Sequence, residues 1–380
     1  MVVAIDASRA ELKEKTGVEY YSYYLIKHLM LVIPADTKVI LYSRVSLKSV
    51  FDNLPLNWEN KVLVWPLKFF WTQLRLYWQA IKDHPDVLFI PSHVSPFLYD
   101  GPVVTTIHDI SWKKTPEAYS WTSKLFLNLA NIWMAKKSSA IITVSEYSKS
   151  ELQKYYPTLA DKIIITYLGP TLPVNDELTT QALGQFFLIL GRVESKKNIS
   201  IVIKAFAGFL KQNPNLAYKL ILIGRPGVGA GKIFKQIEEF NLKNNVINLG
   251  WQPSKIVSQY LKKATALLFP GAYEGFGLPI LDAWNHGVPV IAASTGALPE
   301  VVGEAGLLAK FDDINGWQTY LNILFANEKV RQNLITRGFD RLKLFTWHRT
   351  AVSTWQVLNL VATKTNLNIP TISNYDLIED

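Results

Sequence analysis

The chain alternates short apolar runs with longer segments whose apolar residues recur every three or four positions. Short runs bounded by turn residues predict buried strands, and the longer period predicts amphipathic helices. Helices are predicted between several strands, for example at residues 17–31 and 121–137. This alternation is typical of an α/β unit with a parallel sheet. The first set of predicted strands covers residues 2–5, 38–42, 62–65, 87–90, 103–107, 140–144 and 163–165.

A second set of strands follows a turn-rich segment at residues 169–176, which reads as a linker. Helices are predicted between these strands at residues 199–212 and 233–242. We therefore expect two Rossmann-like units that face each other across a cleft, where ligands meet the carboxyl ends of the strands. The second set of predicted strands covers residues 186–190, 219–223, 246–249, 266–269, 288–292 and 306–308. The predicted domains are residues 1–175 and 176–345, then a helix at 346–363 that packs back on the first domain, and a tail at 364–380.

Composition narrows the class of protein. The 380 residues are 49% hydrophobic, which is enough to bury two cores, and the absence of cysteine excludes disulfides and thiolate zinc sites. No secretory signal or long apolar run is visible, so we expect a cytoplasmic protein without a transmembrane helix. The net charge of +9 indicates a polyanionic partner, such as nucleic acid, an anionic membrane or a nucleotide diphosphate, or simply a soluble basic protein. Because no nucleic-acid-binding motif is present, no nucleic-acid partner is expected.

The most informative segment is Glu-Gly-Phe-Gly-Leu-Pro, which begins at Glu274 and follows the predicted strand 266–269. Glycines at a strand-to-helix turn let backbone N–H groups approach a ligand, and the start of the following helix suits a phosphate. Glu274 is better suited to accept hydrogen bonds from hydroxyl groups. The combination predicts a nucleotide-sugar site. The backbone groups assigned to it belong to Gly275, Phe276, Gly277 and Leu278.

Two cations follow the predicted strand 186–190. Arg192 and Lys197 flank a turn there and are candidates for a diphosphate clamp that stabilises a departing phosphate, although a solvated loop with ordinary surface cations is the alternative. Gly224 ends the next predicted strand and opens a glycine-rich loop. This loop matches neither the Walker nor the dinucleotide pattern, so we interpret it as a strand-to-helix loop beside the nucleotide.

Asp282 lies about two helical turns beyond Glu274. On the helix that follows the glycine turn, its carboxylate would point towards the ligand and accept bonds from two ribose hydroxyls. The alternative is a carboxylate on the helix surface.

The first half offers weaker candidates. Gly17 stands at a loop-to-helix turn, where it would approach a phosphate or an acceptor, or form an ordinary turn. His108 and Asp109 end the predicted strand 103–107. Such a pair can perform acid–base chemistry or orient a substrate hydroxyl, whereas a lone histidine there is more often a structural hydrogen-bonding residue.

Two stretches combine aromatic residues with cations, at residues 69–78 and 121–126. Tryptophan and phenylalanine beside lysine or arginine suit a membrane interface. The alternative is that these aromatic residues fill the core or line an acceptor groove.

Together these motifs resemble the retaining glycosyltransferases of family four, which have the two-domain GT-B fold. The family signature is a glutamate, seven residues and a second glutamate; here Glu274 occupies the first position and Asp282 the second, one methylene shorter. Arg192 and Lys197 match the family's diphosphate clamp, and His108 matches its first-domain histidine near the donor sugar. The Gly17 region lacks the doubled glycine often seen in the family.

The resemblance implies transfer of a hexose from a nucleotide-diphosphate sugar, without metal or cofactor and with the anomeric configuration kept. The leaving phosphate would help to deprotonate the acceptor, His108 and the backbone of residues 275–278 would position the sugar, and Arg192 with Lys197 would hold the departing charge. The start and end of the chain resemble mannosyl- and rhamnosyltransferases of surface-polysaccharide assembly. GDP-mannose is therefore the favoured donor, with UDP- or dTDP-sugars as others, and the acceptor is a glycan or a lipid-linked glycan at the inner face of the cell membrane.

Two other classes of function stay open at this point. One is another nucleotide-sugar enzyme, such as an epimerase, which would need no acceptor. The other is a non-catalytic module that binds nucleotide sugars.

Overall fold

The computed structural model describes residues 1–11, 15–67, 69–92, 94–114, 116, 120–174 and 184–364. The chain divides into two compact units. Among the described residues, the first unit comprises residues up to 113, residues 120–168 and residues 346–364, and the second is built mainly from residues 169–345.

The first unit contains a seven-stranded sheet in which every neighbouring pair is parallel. The central strands are apolar and buried, as expected of strands covered by helices on both faces. Because the strands are parallel, their carboxyl ends lie at one edge. In chain order they are β1 (Val2–Asp6), β2 (Lys38–Ser43), β3 (Trp58–Val62), β4 (Val87–Ile90), β5 (Val103–Thr106), β6 (Ala140–Thr143) and β7 (Ile163–Ile165), with the spatial order β3-β2-β1-β4-β5-β6-β7.

Helices of the first unit cover this sheet. A π-helical turn at Trp71–Leu76 leads directly into the second of them, and 3-10 turns form at Ser49–Phe51 and Pro157–Lys162. The helices are α1 (Gly17–Val32), α2 (Tyr77–Asp83), α3 (Ser111–Lys114), α4 (Trp121–Lys137) and α5 (Glu146–Tyr155).

The second unit contains a six-stranded parallel sheet with the spatial order β10-β9-β8-β11-β12-β13. The strands are β8 (Phe186–Leu190), β9 (Lys219–Ile223), β10 (Val246–Gly250), β11 (Ala266–Phe269), β12 (Val290–Ala293) and β13 (Leu307–Ala309). The helices are α6 (Ile199–Gln212), α7 (Ala230–Glu239), α8 (Ser254–Lys263), α9 (Leu278–Asn285), α10 (Leu298–Val302), α11 (Ile314–Ala326) and α12 (Glu328–Leu342). Two Rossmann-like α/β units are therefore present, as the sequence predicts.

The last helix, α13 (Trp347–Ala362), belongs to the first unit and packs against α1. Trp347 stacks on Tyr24 with ring centroids 5.5 Å apart, and the Thr350 hydroxyl donates to the carbonyl of Tyr167 at 2.5 Å. Thr346 caps the helix by accepting from the backbone N–H of Arg349. The final helix thus groups with the first unit.

Two predicted elements lie elsewhere than expected. The strand predicted at residues 62–65 forms at Trp58–Val62, because that stretch pairs in register with β2 at the sheet edge. Polar residues interrupt the apolar pattern of this strand, so its position was not predicted from the sequence. The apolar run that follows the strand supplies Leu63 to the core. The helix predicted at residues 233–242 starts earlier, at Ala230. Gly229 precedes this first residue as the N-cap and has a left-handed backbone conformation.

The segment between the two sheets is not a loose linker where the structure describes it. The division between the units falls between Leu168 and Gly169, and Thr171 and Leu172 are buried within the second unit. The predicted boundary between residues 175 and 176 lies outside the described residues, as does the predicted tail apart from Lys364.

Candidate functional site

Loops that follow β8 and β9 join at the carboxyl edge of the second sheet. The backbone N–H of Val193 donates to Arg225 at 2.9 Å, that of Gly227 donates to Val193 at 2.8 Å, and that of Ser195 donates to Val228 at 2.9 Å. The loop that carries the predicted clamp is therefore fixed by backbone hydrogen bonds and is not a free solvated turn.

Gly224 is where these two loops approach each other most closely. Its φ is +155°, and a Cβ atom there would overlap with the carbonyl oxygen of Gly191. A side chain would force the two loops apart. The structure thus gives Gly224 a packing role in shaping the edge of the site, and its predicted place beside a nucleotide stays a prediction.

Lys197 and Glu274 form an ion pair at this edge. The Lys197 Nζ lies 2.6 Å from the Glu274 Oε1, and these two side chains are only 23% and 11% exposed. The ammonium also lies 5.6 Å from the centre of the Phe269 ring. Partial burial weakens screening by solvent, so the interaction is stronger than between fully exposed partners. The structure therefore brings together two residues that lie 77 positions apart in the sequence.

Three nearby positions with a small side chain or none fix the backbone and the carboxylate of Glu274. Its carbonyl accepts from the N–H of Ala297 at 3.0 Å, and Gly296 lies against its backbone with a φ of +58°. A Cβ atom at Gly271 would overlap with the Glu274 carboxylate. The position of this carboxylate therefore depends on a glycine three residues earlier.

Arg192 is more open than its predicted partner. The side chain is 59% exposed, and its Nε lies 3.4 Å from the Oε2 of Glu194. Glu194 also pairs with Lys196 at 3.5 Å. Both cations of the predicted clamp thus lie beside a carboxylate of the same unit, Arg192 beside Glu194 and Lys197 beside Glu274.

The glycine turn opens α9 as the sequence predicts. Gly277 precedes the helix with a φ of +108°, and Leu278 is its first residue. Phe276 is buried, and its ring packs edge-on against Phe345 with centroids 5.7 Å apart. Because its side chain is buried, Phe276 can contribute only backbone groups to the site predicted for the run from Gly275 to Leu278.

Asp282 has a different partner from the predicted ribose. Its side chain is only 3% exposed; one carboxylate oxygen accepts from the backbone N–H groups of Thr171 at 2.6 Å and Leu172 at 2.8 Å. The other accepts from the Thr171 hydroxyl at 2.8 Å. Burial raises the pKa of Asp282, and these hydrogen bonds oppose that shift. The geometry assigns Asp282 to holding the chain where it enters the second unit.

Other residues of α8 and α9 hold the same entering segment. Asn285 donates to the carbonyl of Leu172 at 3.3 Å, and the Ser258 hydroxyl donates to that of Pro173 at 3.0 Å. The His286 Nε2 lies 2.7 Å from the Ser258 hydroxyl. Asn285, Ser258 and His286 were not predicted from the sequence, although Asn285 shares a helix face with Asp282. The segment that Asn285 and Asp282 hold lies more than 100 positions earlier in the chain and carries no local signal.

The first-unit candidates can be described within their own unit. His108 follows β5 and is half-buried; its Nε2 lies 3.4 Å from the carbonyl oxygen of Pro91, and its ring meets Tyr21 edge-on at 4.6 Å. The Asp109 carboxylate accepts from the N–H of Ser111 at 2.9 Å. Asp109 therefore contributes to the turn before α3, and His108 is fixed by aromatic packing.

Gly17 begins α1 in an exposed position. The Glu19 carboxylate accepts from the N–H of Thr16 at 3.0 Å and pairs with Arg9 at 2.9 Å. An anionic group thus already occupies the positive end of this helix, which disfavours a phosphate beside Gly17.

One buried acid at the same edge of the first sheet was not selected from the sequence. Asp6 ends β1, is 3% exposed and accepts from the N–H of Ser8 at 2.9 Å. Burial raises its pKa, and Ser8, Arg9 and Arg44 oppose that shift. Its place at the end of a predicted strand is the signal that would have identified it.

Within the described ranges, no three His, Asp or Glu side chains are grouped closely enough to hold a metal ion. No helix in the described part of the chain is both long and apolar enough to span a bilayer.

Comparison with known proteins identifies the family. Residues 16–170 match the model described as Glycosyltransferase Family 4, and residues 179–341 match the one described as Glycosyl transferases group 1. The chain is similar to O-antigen chain mannosyltransferase B of Escherichia coli, with 28% identity over 74% of this chain and 76% of the relative. It is 24% identical to O-antigen chain mannosyltransferase RfbU of Salmonella typhimurium, over 87% of this chain and 94% of the relative.

The fold is similar to that of solved GT-B structures. Sucrose-phosphate synthase from Thermosynechococcus elongatus superposes with a TM-score of 0.74 and 17% identity, over 96% of this chain and 100% of that one. Both family matches indicate a glycosyltransferase, and the two parallel-sheet units and the Glu274 motif agree with that family. The chain is a member of the family-four, group 1 glycosyltransferases and has the GT-B fold.

Proposed function

We propose that this glycosyltransferase moves a hexose from a nucleotide-diphosphate sugar to a hydroxyl of a glycan or lipid-linked acceptor in surface-polysaccharide synthesis, with retention of configuration. GDP-mannose is the favoured donor, and UDP- and dTDP-sugars are the other donors to test. The enzyme acts in the cytoplasm at the inner face of the cell membrane. It needs neither a cofactor nor a metal, because its own cations balance the leaving diphosphate.

The observation that carries the proposal is the ion pair between Lys197 and Glu274. Lys197 has three N–H donors, of which one is directed at Glu274, so the others remain for a diphosphate oxygen. Arg192 is exposed at the same loop and can add planar donors. A carboxylate beside the ammonium suits the hydroxyls of a sugar, so the pair can bind both parts of a nucleotide sugar.

In the reaction, the bond between the anomeric carbon and the diphosphate oxygen breaks, and the acceptor oxygen bonds to the same face of that carbon. The acceptor's proton passes to the leaving phosphate, which departs with the electron pair of the broken bond. Lys197 and Arg192 stabilise the negative charge that grows on the phosphate. Glu274, the backbone of residues 275–278 and His108 orient the sugar, and Gly224 shapes the loop beside Arg192.

The choice of donor and acceptor rests on the relatives. Both are called O-antigen chain mannosyltransferases, which favours a mannose donor and a polysaccharide acceptor. The positive net charge agrees with an anionic donor and with an anionic membrane surface.

Nucleotide binding tests the site and the donor class together. Thermal shift and titration calorimetry with GDP, UDP and dTDP should give the largest stabilisation for GDP, because a ligand of the folded state raises its stability according to affinity. Lys197→Ala should weaken GDP binding by about tenfold or more, the usual scale for losing one charge-assisted contact.

Lys235→Ala is the matched control, since Lys235 lies on α7 with a side chain that is 77% exposed. Equal affinity of GDP for wild type and Lys197→Ala would remove Lys197 from the site. A preference for UDP or dTDP would replace the donor and leave the site in place.

A further inference from the structure

An apolar surface lies on one side of the first unit, formed by exposed side chains of three stretches. We call it the aromatic surface. Most soluble proteins bury such residues or scatter them singly, so a contiguous group indicates a binding surface. The exposed side chains are Leu67, Phe69, Phe70, Leu74, Trp78, Leu98, Trp121, Leu125, Phe126, Leu129, Ile132 and Trp133.

Helix α4 directs an apolar stripe at solvent. Trp121, Leu125, Leu129 and Ile132 recur at helical spacing and are 72%, 45%, 55% and 38% exposed. The opposite face of the same helix is buried at Ala130, Asn131 and Met134. The stripe is therefore the outer face of a packed helix and not an unfolded region.

A loop connects α4 to the π-helical turn at Trp71–Leu76. Gln73 donates to the carbonyl of Ser95 at 2.9 Å and accepts from the N–H of Phe97 at 2.9 Å. The carbonyl of Phe97 in turn accepts from the Trp133 indole at 2.5 Å. These contacts bring the π-helical turn and the Leu98 loop against the part of α4 that carries Trp133.

Phe70 adds a sign of strain. It is 65% exposed and adopts a left-handed backbone conformation with a φ of 65°, which is unfavourable for an aromatic residue. Trp71, next to it, is buried and donates its indole N–H to the carbonyl of Leu63 at 3.0 Å. The backbone thus turns sharply so that one aromatic residue fills the core and its neighbour points outward.

The charged residues within the two long stretches of the aromatic surface have one sign. No acidic residue occurs between positions 59 and 83 of the sequence, which include four cations, or between 117 and 146, which include Lys124, Lys136 and Lys137. Lys136 is exposed, and Lys137 pairs with Asp100 at the edge. Apolar residues flanked by more cations than acids complement an anionic bilayer, where aromatic and aliphatic groups enter the interface and lysines meet lipid phosphates.

We propose that the aromatic surface docks the enzyme on an anionic lipid bilayer, with α4 lying in the plane of the interface. A second copy of the chain fits less well, because a symmetric contact would bring the lysines of two copies of α4 into one interface. The inference deepens the proposed function, on which it rests only for the bilayer as the place where a lipid-linked acceptor is met.

Vesicle co-sedimentation of the full chain tests the proposal. Wild type should bind phosphatidylcholine vesicles with 30% phosphatidylglycerol far better than pure phosphatidylcholine vesicles. Replacing two interfacial leucines, Leu125→Gln with Leu129→Gln, should lower the partition coefficient at least about tenfold. Lys124→Gln and Lys136→Gln should each lower it roughly fivefold on the anionic vesicles alone.

The matched control is Leu31→Gln with Leu56→Gln, two leucines of the same unit that are 74% and 108% exposed and lie outside the aromatic surface. This variant should bind vesicles like wild type. Turnover of a soluble octyl glycoside acceptor without vesicles should change less than about twofold in both double variants, which shows intact folding. Quenching of tryptophan fluorescence by brominated lipids gives a second readout in the wild type, and Trp121→Phe should reduce it.

Absence of wild-type binding to the anionic vesicles would overturn the proposal, as would equal binding by the Leu125 and Leu129 variant. Self-association that the same variant abolishes, measured by analytical ultracentrifugation without lipid, would assign the surface to a second copy instead. Vesicle binding without any sugar transfer would contradict the proposed function and leave the lipid surface standing.

Discussion

Asp282 holds Thr171 by two hydrogen bonds, one to its backbone N–H at 2.6 Å and one to its hydroxyl at 2.8 Å. Asp282 stands at the second acidic position of the family motif, yet both of its oxygens serve the segment that enters the second unit. A buried carboxylate is tolerated when its oxygens are satisfied in this way. The acid therefore contributes to stability and to the fixed position of α9, whose first turn follows Glu274.

Asp282→Asn should lower the free energy of unfolding by about 2 kcal/mol. The amide N–H₂ of asparagine would face N–H or O–H donors, whereas both oxygens of the carboxylate accept hydrogen bonds from them. Urea unfolding measures the loss, and calorimetry with GDP should give a dissociation constant within about threefold of wild type. Asp312→Asn, on an exposed loop, is the control and should be silent in both experiments. Normal stability with a tenfold loss of GDP affinity would restore the ribose role.

Gly271→Ala should disable the site with little loss of stability. The new methyl group would displace the Glu274 carboxylate and separate it from Lys197, while the backbone of Gly271 does not need the left-handed conformation. We expect turnover to fall roughly 10- to 100-fold, as when a positioned charged group is misplaced. Initial rates and urea unfolding measured on the same preparation separate activity from stability.

Gly231→Ala is the matched control for this substitution. A Cβ atom there meets no heavy atom within 4 Å, and Gly231 lies in the first turn of α7. Stability should stay equal or rise by up to about 1 kcal/mol, because alanine favours a helix, with turnover unchanged. If Gly271→Ala retained wild-type turnover, the carboxylate position would not matter.

The elements that the sequence predicts well are those whose apolar residues carry the period. The bounds of α6 agree with prediction because its apolar residues form a regular buried face, and those of α4 agree because its apolar residues recur at helical spacing, although on its exposed face. The bounds of β3 differ because its edge position admits Glu59, Asn60 and Lys61. The family resemblance assigned Lys197 and Glu274 to one site, but their direct contact was not predicted. The partner of Asp282 was not accessible, because a carboxylate on a helix carries no signal for a segment 111 residues away.

Asp83 predicts a pH-dependent part of the stability of the first unit. Its carboxylate accepts from Lys61 at 2.9 Å, Tyr42 at 2.8 Å and Gln79 at 3.0 Å. Burial alone would raise its pKa, but these hydrogen bonds and the Lys61 charge outweigh burial and lower it. The folded state then binds the proton less tightly than the unfolded state, so the stabilisation is present above about pH 4 and is lost as the pH falls through the lowered pKa.

Asp83→Asn should therefore cost about 1–2 kcal/mol in urea unfolding at pH 7, and this cost should shrink towards pH 3. Asp52→Asn, at an exposed position of the same unit, should show neither effect. A cost that is independent of pH would mean that Asp83 acts through its shape and not through its charge.

Retaining sugar transfer at the Lys197–Glu274 pair can be followed by proton NMR of the reaction with GDP-mannose and octyl glycoside acceptors. We expect that one α-linked mannosyl product forms for each GDP released, that release requires the acceptor, and that Lys197→Ala slows release about 100-fold or more. Conversion of the nucleotide sugar without an acceptor, a β-linked product, or unchanged turnover by Lys197→Ala would contradict retaining transfer at this pair.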